Sequence, residues 1–361
     1  VTGVQTCALP ISVIVGSGPA GYHAAIKLSE SGFRPIVLER GFSVDDRIKD
    51  VNLFWETGRL NTASNVQCGE GGAGTFSDGK LNTLVNDKVG RNKFVLETFV
   101  KFGAPSNILY DYKPHIGTDE LRVILKNMRS FIEGYGGEVK FGNTLTGISY
   151  DLEYSRFGYE SELPIYELSI VNEKCEKSSL RTHALILAIG HSARDTFKML
   201  RSCDFTLEPK SFALGIRVEH KAETINKAMY GENYKEIYGD TLGAADYKLV
   251  YHTKDLDISR NVFSFCMCPG GYVVNSSSED GGVVINGMSY SGRSGINSNS
   301  AIVVNIDPSD YMNSDNVLEG LEFQKRLERK AFNAGNGKIP VQLYGDLKNH
   351  KVSKELGSIS P

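Results

Sequence analysis

Apolar positions in the first half of the chain alternate between short runs and helical stripes. Ser12-Val13-Ile14-Val15 is a brief β-branched run with the composition of a buried strand. Ala20, Ala24, Ala25 and Leu28 then recur at helical spacing until Gly32, and Pro35-Ile36-Val37-Leu38 reads as a second strand. Further on, Leu121, Ile124, Leu125, Met128 and Ile132 mark one face of a helix. Thr118 is placed to cap it, Asp119 and Glu120 suit the positive end of its dipole, and Gly136-Gly137 stop it. Glu138 to Phe141 reads as the next strand of a parallel sheet, residues 144–182 as a β-meander over short polar turns, and Ala184 to Gly190 as an apolar strand ending in glycine. Strands and helices in this order predict an α/β domain of Rossmann-like build.

The pattern changes near Pro209. Short, partly alternating runs follow at 211–220, 247–252, 261–267, 271–275, 282–288 and 301–306, and helical stripes are sparse until 317–332. These predict a second, β-rich domain with a mixed or antiparallel sheet. The boundaries expected are 12–205 for the first domain, 206–310 for a substrate or cap domain and 311–361 for an incomplete C-terminal region. The Asn- and Ser-rich run 286–300 reads as a polar pocket rim or a solvent loop.

Composition narrows the class of partner. Lys and Arg number 40 against 43 Asp and Glu, a net charge of −3, so no general basic excess exists to hold a nucleic-acid backbone. No apolar run approaches the roughly 18–20 residues of a membrane span, and the cysteine usage makes a reducing cytoplasm the expected location. Cys7, Cys68, Cys175, Cys203, Cys266 and Cys268 are scattered in no zinc pattern and no small disulfide scaffold. The leader Val1 to Ile11 resembles a translated sequencing-adapter read-through and is set aside, Cys7 with it. Truncation at both ends is expected.

The first strand meets Gly16-Ser17-Gly18-Pro19-Ala20-Gly21, a G-x-G-x-x-G, and the second strand delivers Glu39 and Arg40, with Glu39 18 residues past Gly21. In such a unit Gly16 permits the tight turn, Gly18 lets the backbone approach a pyrophosphate, and Gly21 lets helix pack on strand. The helix N-terminus then offers uncommitted N–H groups to the phosphates, and the acid bonds ribose hydroxyls. A second glycine cluster, Gly69 to Lys80, contains Gly71, Gly72, Ala73, Gly74 and Thr75. Its glycine density suits a backbone passing close to a ligand, and Asn65, Gln67, Ser77 and Asp78 flank it with hydrogen-bonding groups; a flexible surface loop is the alternative. Two loops of this kind fit an extended FAD.

The stretch Ser64-Asn65-Val66-Gln67-Cys68-Gly69-Glu70-Gly71-Gly72-Ala73-Gly74-Thr75-Phe76-Ser77-Asp78-Gly79-Lys80-Leu81-Asn82 resembles the signature of a bacterial family of uncharacterised FAD-dependent dehydrogenases. So do Lys113 to Asp119, Ala188 to Thr196, Phe212 to His220, Phe265 to Gly271 and Asn286 to Tyr290. The resemblance implies a glutathione-reductase-like FAD/NAD(P)-binding fold, with Leu145 near the adenine and with Ala188 and Gly190 returning the chain to the FAD. It assigns no substrate.

Candidates for chemistry are fewer. Cys266 and Cys268 stand two apart on a strand and so face one side, as a redox or nucleophilic pair or, the reading favoured, as structural or pocket-lining thiols. His115, His191 and Arg217 are candidates for orienting an anionic or carbonyl substrate. No second G-x-G-x-x-G follows a strand, so NAD(P)H is expected to dock transiently as an electron donor, if it serves at all. The expectation is an FAD-dependent oxidoreductase, a dehydrogenase moving hydride equivalents through the flavin to or from an unidentified small molecule, with no nucleic acid, membrane or metal partner. Two alternatives stay open: a flavin-dependent enzyme that modifies RNA or a cofactor, and a non-catalytic dinucleotide-binding sensor.

Overall fold

The structure, a computed structural model, describes residues 12–356 apart from 82, 84–85, 154–162, 240, 254–259 and 313. The adapter-like leader 1–11, Asn82 of the glycine-rich signature and the terminal Ile359-Ser360-Pro361 lie outside the described residues. The chain divides into two compact units. The first takes the residues up to Asp50, Ala63–Leu207 and Met288–Ser294; the second takes Val51–Thr62, Glu208–Gly287 and the residues from Gly295 onward.

The first unit opens with β1 (Val13–Val15), α1 (Pro19–Glu30), β2 (Ile36–Leu38) and α2 (Val44–Thr57), whose second half belongs to the other unit. It continues through α3 (Arg91–Lys101), α4 (Thr118–Gly134), β3 (Glu138–Lys140), β4 (Asn143–Glu153), β5 (Leu163–Asn172), β6 (Lys177–Thr182), β7 (Leu185–Leu187) and α5 (Arg194–Ser202). Strands β3-β2-β1-β7 form one parallel sheet, and β4-β5-β6 form a separate antiparallel meander.

Alternation along the short strands sorts their side chains to two faces. Ile14 and Val37 enter a core with Tyr22 and Ile26 of α1 and the buried stripe of α4, Leu121, Ile124, Leu125, Met128 and Ile132. Val13, Val15, Ile36 and Leu38 point the other way, into a core with Leu145, Ile148 and Leu168 of the meander and Leu200 of α5. Each fully buried aliphatic side chain contributes about 1.5–3 kcal/mol, so the α4 stripe is a principal anchor of that layer. The sheet therefore carries helices on one face and the meander with α5 on the other. Strand β7 is half-buried rather than wholly enclosed.

Thr118 is not the cap of α4. It is the first helical residue, Gly117 occupies the cap position with extended backbone, and the Thr118 hydroxyl donates to the Ser77 carbonyl at 2.8 Å. Gly117 also allows a close approach, since a Cβ there would sit 2.0 Å from the Ser291 amide nitrogen.

The second unit contains β8 (Phe212–Lys221), α6 (Ala222–Tyr230), α7 (Tyr234–Tyr238), β9 (Val250–His252), β10 (Asn261–Cys268), β11 (Tyr272–Asn275), β12 (Ile285–Met288), β13 (Asn297–Ile306), α8 (Pro308–Tyr311) and α9 (Glu319–Ala334). Strands β8-β13-β10-β9 form an antiparallel sheet, and β11 and β12 form a two-stranded one. The run 286–300 is a loop only in its middle, where Tyr290 and Ile296 are exposed; its two ends lie in β12 and β13. Met288–Ser294 belongs to the first unit, and Ser298, Asn299 and Ser300 are wholly buried at the start of β13. Helices α6 and α7 fall where helical patterning is sparse, and α6 buries none of its residues. Among the described residues no helix is long and apolar enough to cross a membrane.

Candidate cofactor cleft

A cleft of about 460 Å³ opens in the first unit, within the roughly 300–1,000 Å³ usual for small-molecule sites. Val15, Leu38 and Leu187, the last residues of β1, β2 and β7, line its floor. It therefore lies at the carboxyl ends of parallel strands, where open α/β sheets take their ligands. Gly16, Gly18, Pro19, Ala20, Glu39, Arg40, Gly72, Ala73, Gly74, Leu145, Ala188, Gly190 and His191 all line this cleft. The other expected binding residues do not line it: Ser17 bonds Glu39, Gly21 packs beneath the turn, and within the second glycine loop Gly71 faces Leu125 and Thr75 donates to the Glu70 carbonyl.

The glycines are required by approach distances. A Cβ on Gly21 would lie 1.9 Å from the Gly16 carbonyl oxygen, so α1 could not pack on its strand with any larger residue there. Gly16 has φ +105°, and a Cβ on it would meet the Ala188 carbonyl oxygen at 2.3 Å. Across the cleft entrance the two glycine-rich loops touch: a Cβ on Gly72 would come within 3.3 Å of the Gly18 Cα. No side chain caps the N-terminus of α1, where Gly18 holds the cap position and Pro19 follows. Its amide groups face the cleft with partial positive charge.

Glu39 is buried at the end of β2. Its carboxylate accepts the Ser17 amide at 2.9 Å and the Ser17 hydroxyl at 2.8 Å on one oxygen, and the Gly41 amide at 2.9 Å on the other. A carboxylate offers about four acceptor sites, so these bonds orient Glu39 and leave capacity for a ligand hydroxyl. Arg40 donates to both oxygens of Asp195 at 2.9 and 2.8 Å and to the Thr196 hydroxyl at 3.1 Å, joining β2 to the start of α5. Gln67 and Ser192 meet in a short hydrogen bond, and Asn143 lines the cleft beside Leu145. Cys68 lines it too. Burial pushes its thiol up to about 11, and nearby Glu39 adds to the shift, so it stays protonated at neutral pH.

Buried side chains hold the main chain of the second glycine loop. Arg47, on α2 and fully buried, donates to the carbonyls of Asn65 at 2.7 Å, Val66 at 2.9 Å and Glu70 at 2.6 Å. Burial pulls its guanidinium down to about 10, still charged at neutral pH. Its plane lies over the Phe76 ring at 5.0 Å, with Arg122 also over that ring at 5.0 Å. In return Glu70 caps α2: its carboxylate accepts the Val44 amide at 2.6 Å, the Tyr22 hydroxyl at 2.7 Å and Arg129 at 3.3 Å. Burial and then Glu70 hold the Tyr22 phenol well above its usual range. Asn65 closes the loop's start, its side-chain oxygen accepting the amides of Gln67 and Cys68.

Asp78 ends the loop in a charged cluster. It pairs with Lys80 at 2.9 Å and Arg293 at 2.7 Å and accepts a short bond from Ser289. Ser291 reaches Asp119 through its amide and hydroxyl, so residues 288–294 tie into the first unit twice. His115 pairs with Lys80 in a β-bridge beside this cluster. Burial and then Arg293 depress its pKa, and its Nε2 is buried without a partner.

Of the residues expected for chemistry, His191 lines the cleft of the first unit, whereas Arg217, Cys266 and Cys268 gather in the second. Among the described residues no group of three or more His, Cys, Asp or Glu is placed to hold a metal ion. Arg47, Glu70 and Asn143 were missed by sequence reasoning. Glu70 stands inside the glycine signature, but Arg47 looks like any polar residue of an amphipathic helix.

Residues 211–361 match a family model described as FAD-dependent protein, C-terminal domain-like. The chain is 47% identical over 351 residues to an uncharacterised protein of Clostridium beijerinckii, covering 97% of this chain and 62% of that one. The chain thus spans less than two thirds of the length of that relative. Among solved structures, Thermovibrio ammonificans THI4 is similar at 17% identity and a TM-score of 0.36, covering 56% of this chain and 66% of that one. A flavoprotein/dehydrogenase from Cytophaga hutchinsonii is similar at 12% identity and a TM-score of 0.36, covering 89% and 64%. Likenesses this distant carry no weight for function.

Proposed function

We propose that the chain is the FAD-binding part of an oxidoreductase, with the cofactor in the cleft of the first unit. The observation that carries this reading is the pair of glycine loops meeting at Gly18 and Gly72, with the buried carboxylate of Glu39 at the adjoining strand end. The residues present fit the group. Gly16 to Ala20 and the uncapped start of α1 would hold the pyrophosphate, Glu39 the ribose hydroxyls, and Leu145 with Asn143 the adenine. Gly72 to Gly74, Ala188 and Gly190 would follow the rest of its length. The family match of residues 211–361 to an FAD-dependent protein supports the same cofactor from the other end of the chain.

Bound FAD would supply two-electron transfer, and the protein would bind it, orient it and exclude water. Arg47 and Glu70 hold the main chain around the second loop through buried hydrogen bonds, which lowers the ordering that binding must supply. His191, on the cleft wall, is the side chain we assign to orient a substrate. The electron donor is assigned outside the chain's own dinucleotide motif, with NADH or NADPH docking transiently. To test this, the FAD-loaded protein is mixed anaerobically with NADH, then NADPH, and the flavin absorption followed. Bleaching faster than that of free FAD supports the reading. FAD that fails to bind, or bleaches no faster than in solution with either donor, counts against it.

A further inference from the structure

The second unit holds a cluster that the cofactor cleft does not use. On β10 and β13 the ladder pairs Phe265 with Ala301 and Cys268 with Asn299, so β10 carries one extra residue between these pairs. That bulge contains Cys266, whose φ of +46° is a left-handed conformation uncommon for a side chain larger than glycine. The strained residue is held by two contacts on its carbonyl: Arg217 Nη1 at 3.2 Å and the Cys268 thiol at 3.3 Å. The two sulfurs stand 4.0 Å apart and are not bridged. Gly287 faces the cluster from β12, where a Cβ would come within 2.5 Å of both Arg217 Nη1 and Cys268 Sγ and 2.6 Å of Asn299 Oδ1. The guanidinium and the buried sulfur are therefore no more than about 5 Å from each other. Asn299 accepts from Arg217 at 2.5 Å, and its buried Nδ2 has no partner.

We propose that Cys266 and Cys268 are a dithiol that exchanges with small-molecule disulfides, Cys266 as the attacking thiol and Cys268 as the resolving one. Accessibility sets the order: Cys266 is half-buried, Cys268 is wholly buried. The Cys266 thiolate attacks one sulfur of a disulfide RSSR, breaking its S–S bond and releasing RS⁻. Cys268, losing its proton, then attacks the Cys266 sulfur and expels the second RS⁻. The two cysteine protons end on two RSH, the substrate gains two electrons and the cysteine pair loses two. Excess thiol runs the same steps backward. The sulfurs must close from 4.0 Å to about 2.05 Å to form the bond. Arg217, within about 5 Å of the Cys268 sulfur, favours the thiolate of the resolving attack. This goes beyond the cofactor reading and does not depend on it, because it is read from thiol chemistry alone.

The test uses the full chain, incubated with glutathione disulfide, quenched with an alkylating agent under denaturing conditions and mapped by mass spectrometry. In the wild type the peptide spanning 266–268 is expected to lose both alkylation sites and two hydrogens, and glutathione in excess is expected to restore them. Cys268→Ser should accumulate glutathione on Cys266, because the resolving thiol is gone; Cys266→Ser should leave the buried Cys268 unmodified. Arg217→Met should slow disulfide formation about tenfold. Wild-type protein that keeps both thiols alkylatable overturns the proposal, and so does one that retains a stable glutathione adduct on Cys266. Trp55, which donates to the Asn275 carbonyl within the same unit, reports by its fluorescence that each variant is folded.

Discussion

The two units build their polar interiors from opposite materials. In the first, the cleft is shaped by backbone: glycines at 16 and 21 let chain segments approach to distances no side chain permits, and Gly72 comes close to Gly18. Side chains such as Arg47 and Glu70 stand behind them and spend their hydrogen bonds on main-chain groups. In the second, the interior cluster is made of side chains themselves, Arg217, Asn299, Cys266 and Cys268, beside wholly buried Ser298 and Ser300. A backbone site is general for a shape, such as an extended phosphate-linked cofactor. A side-chain site is particular to a reaction. The contrast teaches where each kind of substitution will act.

The largest effect is expected at Arg47. Arg47→Met takes a charged donor away from three buried carbonyls, of which that of Glu70 keeps the Thr75 hydroxyl, and should cost on the order of 3–5 kcal/mol, with the cofactor lost in parallel. Denaturant titration of the full chain alongside retained cofactor measures both. Next is Gly21→Ala, where the added methyl would press on the Gly16 carbonyl; overpacking of this kind costs about 1–3 kcal/mol and should weaken cofactor retention more than overall folding. Asn299→Ala breaks the comparison from the other side. It removes the acceptor of Arg217 and should destabilise the second unit by about 1–2 kcal/mol, seen in Trp55 fluorescence, while cofactor retention stays at the wild-type level. If retention falls as well, the units are not separate in this sense.

The smallest effect is on pH dependence and concerns His115. Its folded-state pKa is depressed, by burial first and Arg293 second, below the ordinary 6.5. The unfolded chain therefore takes up this proton more readily, so the folded state loses stability as pH falls through about 6.5 and recovers it above. His115→Gln should remove that part of the slope, as measured by melting temperature across the range. An unchanged slope would assign it to other groups.

How much of this was legible follows from the same contrast. Backbone constraints write themselves as glycines, and burial of a helix face writes itself as a stripe, so β1, α1, β2, α4 and the cleft lining could be read directly. Strands β2 and β7 followed from their apolar runs, and β3, with the sequence Glu-Val-Lys, from its place after the glycine stop of α4. What could not be read was polar burial. Nothing in Ser298-Asn299-Ser300 distinguishes a buried strand from a solvent loop, because burial there is offset by hydrogen bonds and not by hydrophobicity. Arg47 is silent for the same reason. The bulge at Cys266 was invisible because alternation alone places Cys266 and Cys268 on one face whether or not the ladder slips. Thr118 shows the converse error: its cap chemistry was plausible, but the Ser77 carbonyl of the glycine loop takes its hydroxyl.

The central claim is that the first unit's glycine-lined cleft holds FAD. The most direct measurement is the visible absorption spectrum of the full chain, and of Gly21→Ala beside it, after equilibration with FAD and removal of the unbound cofactor. The account predicts the bands of an oxidised flavin on the wild type and their loss from the variant at equal protein concentration. A wild type without flavin bands, or a variant that keeps them in full, would contradict it.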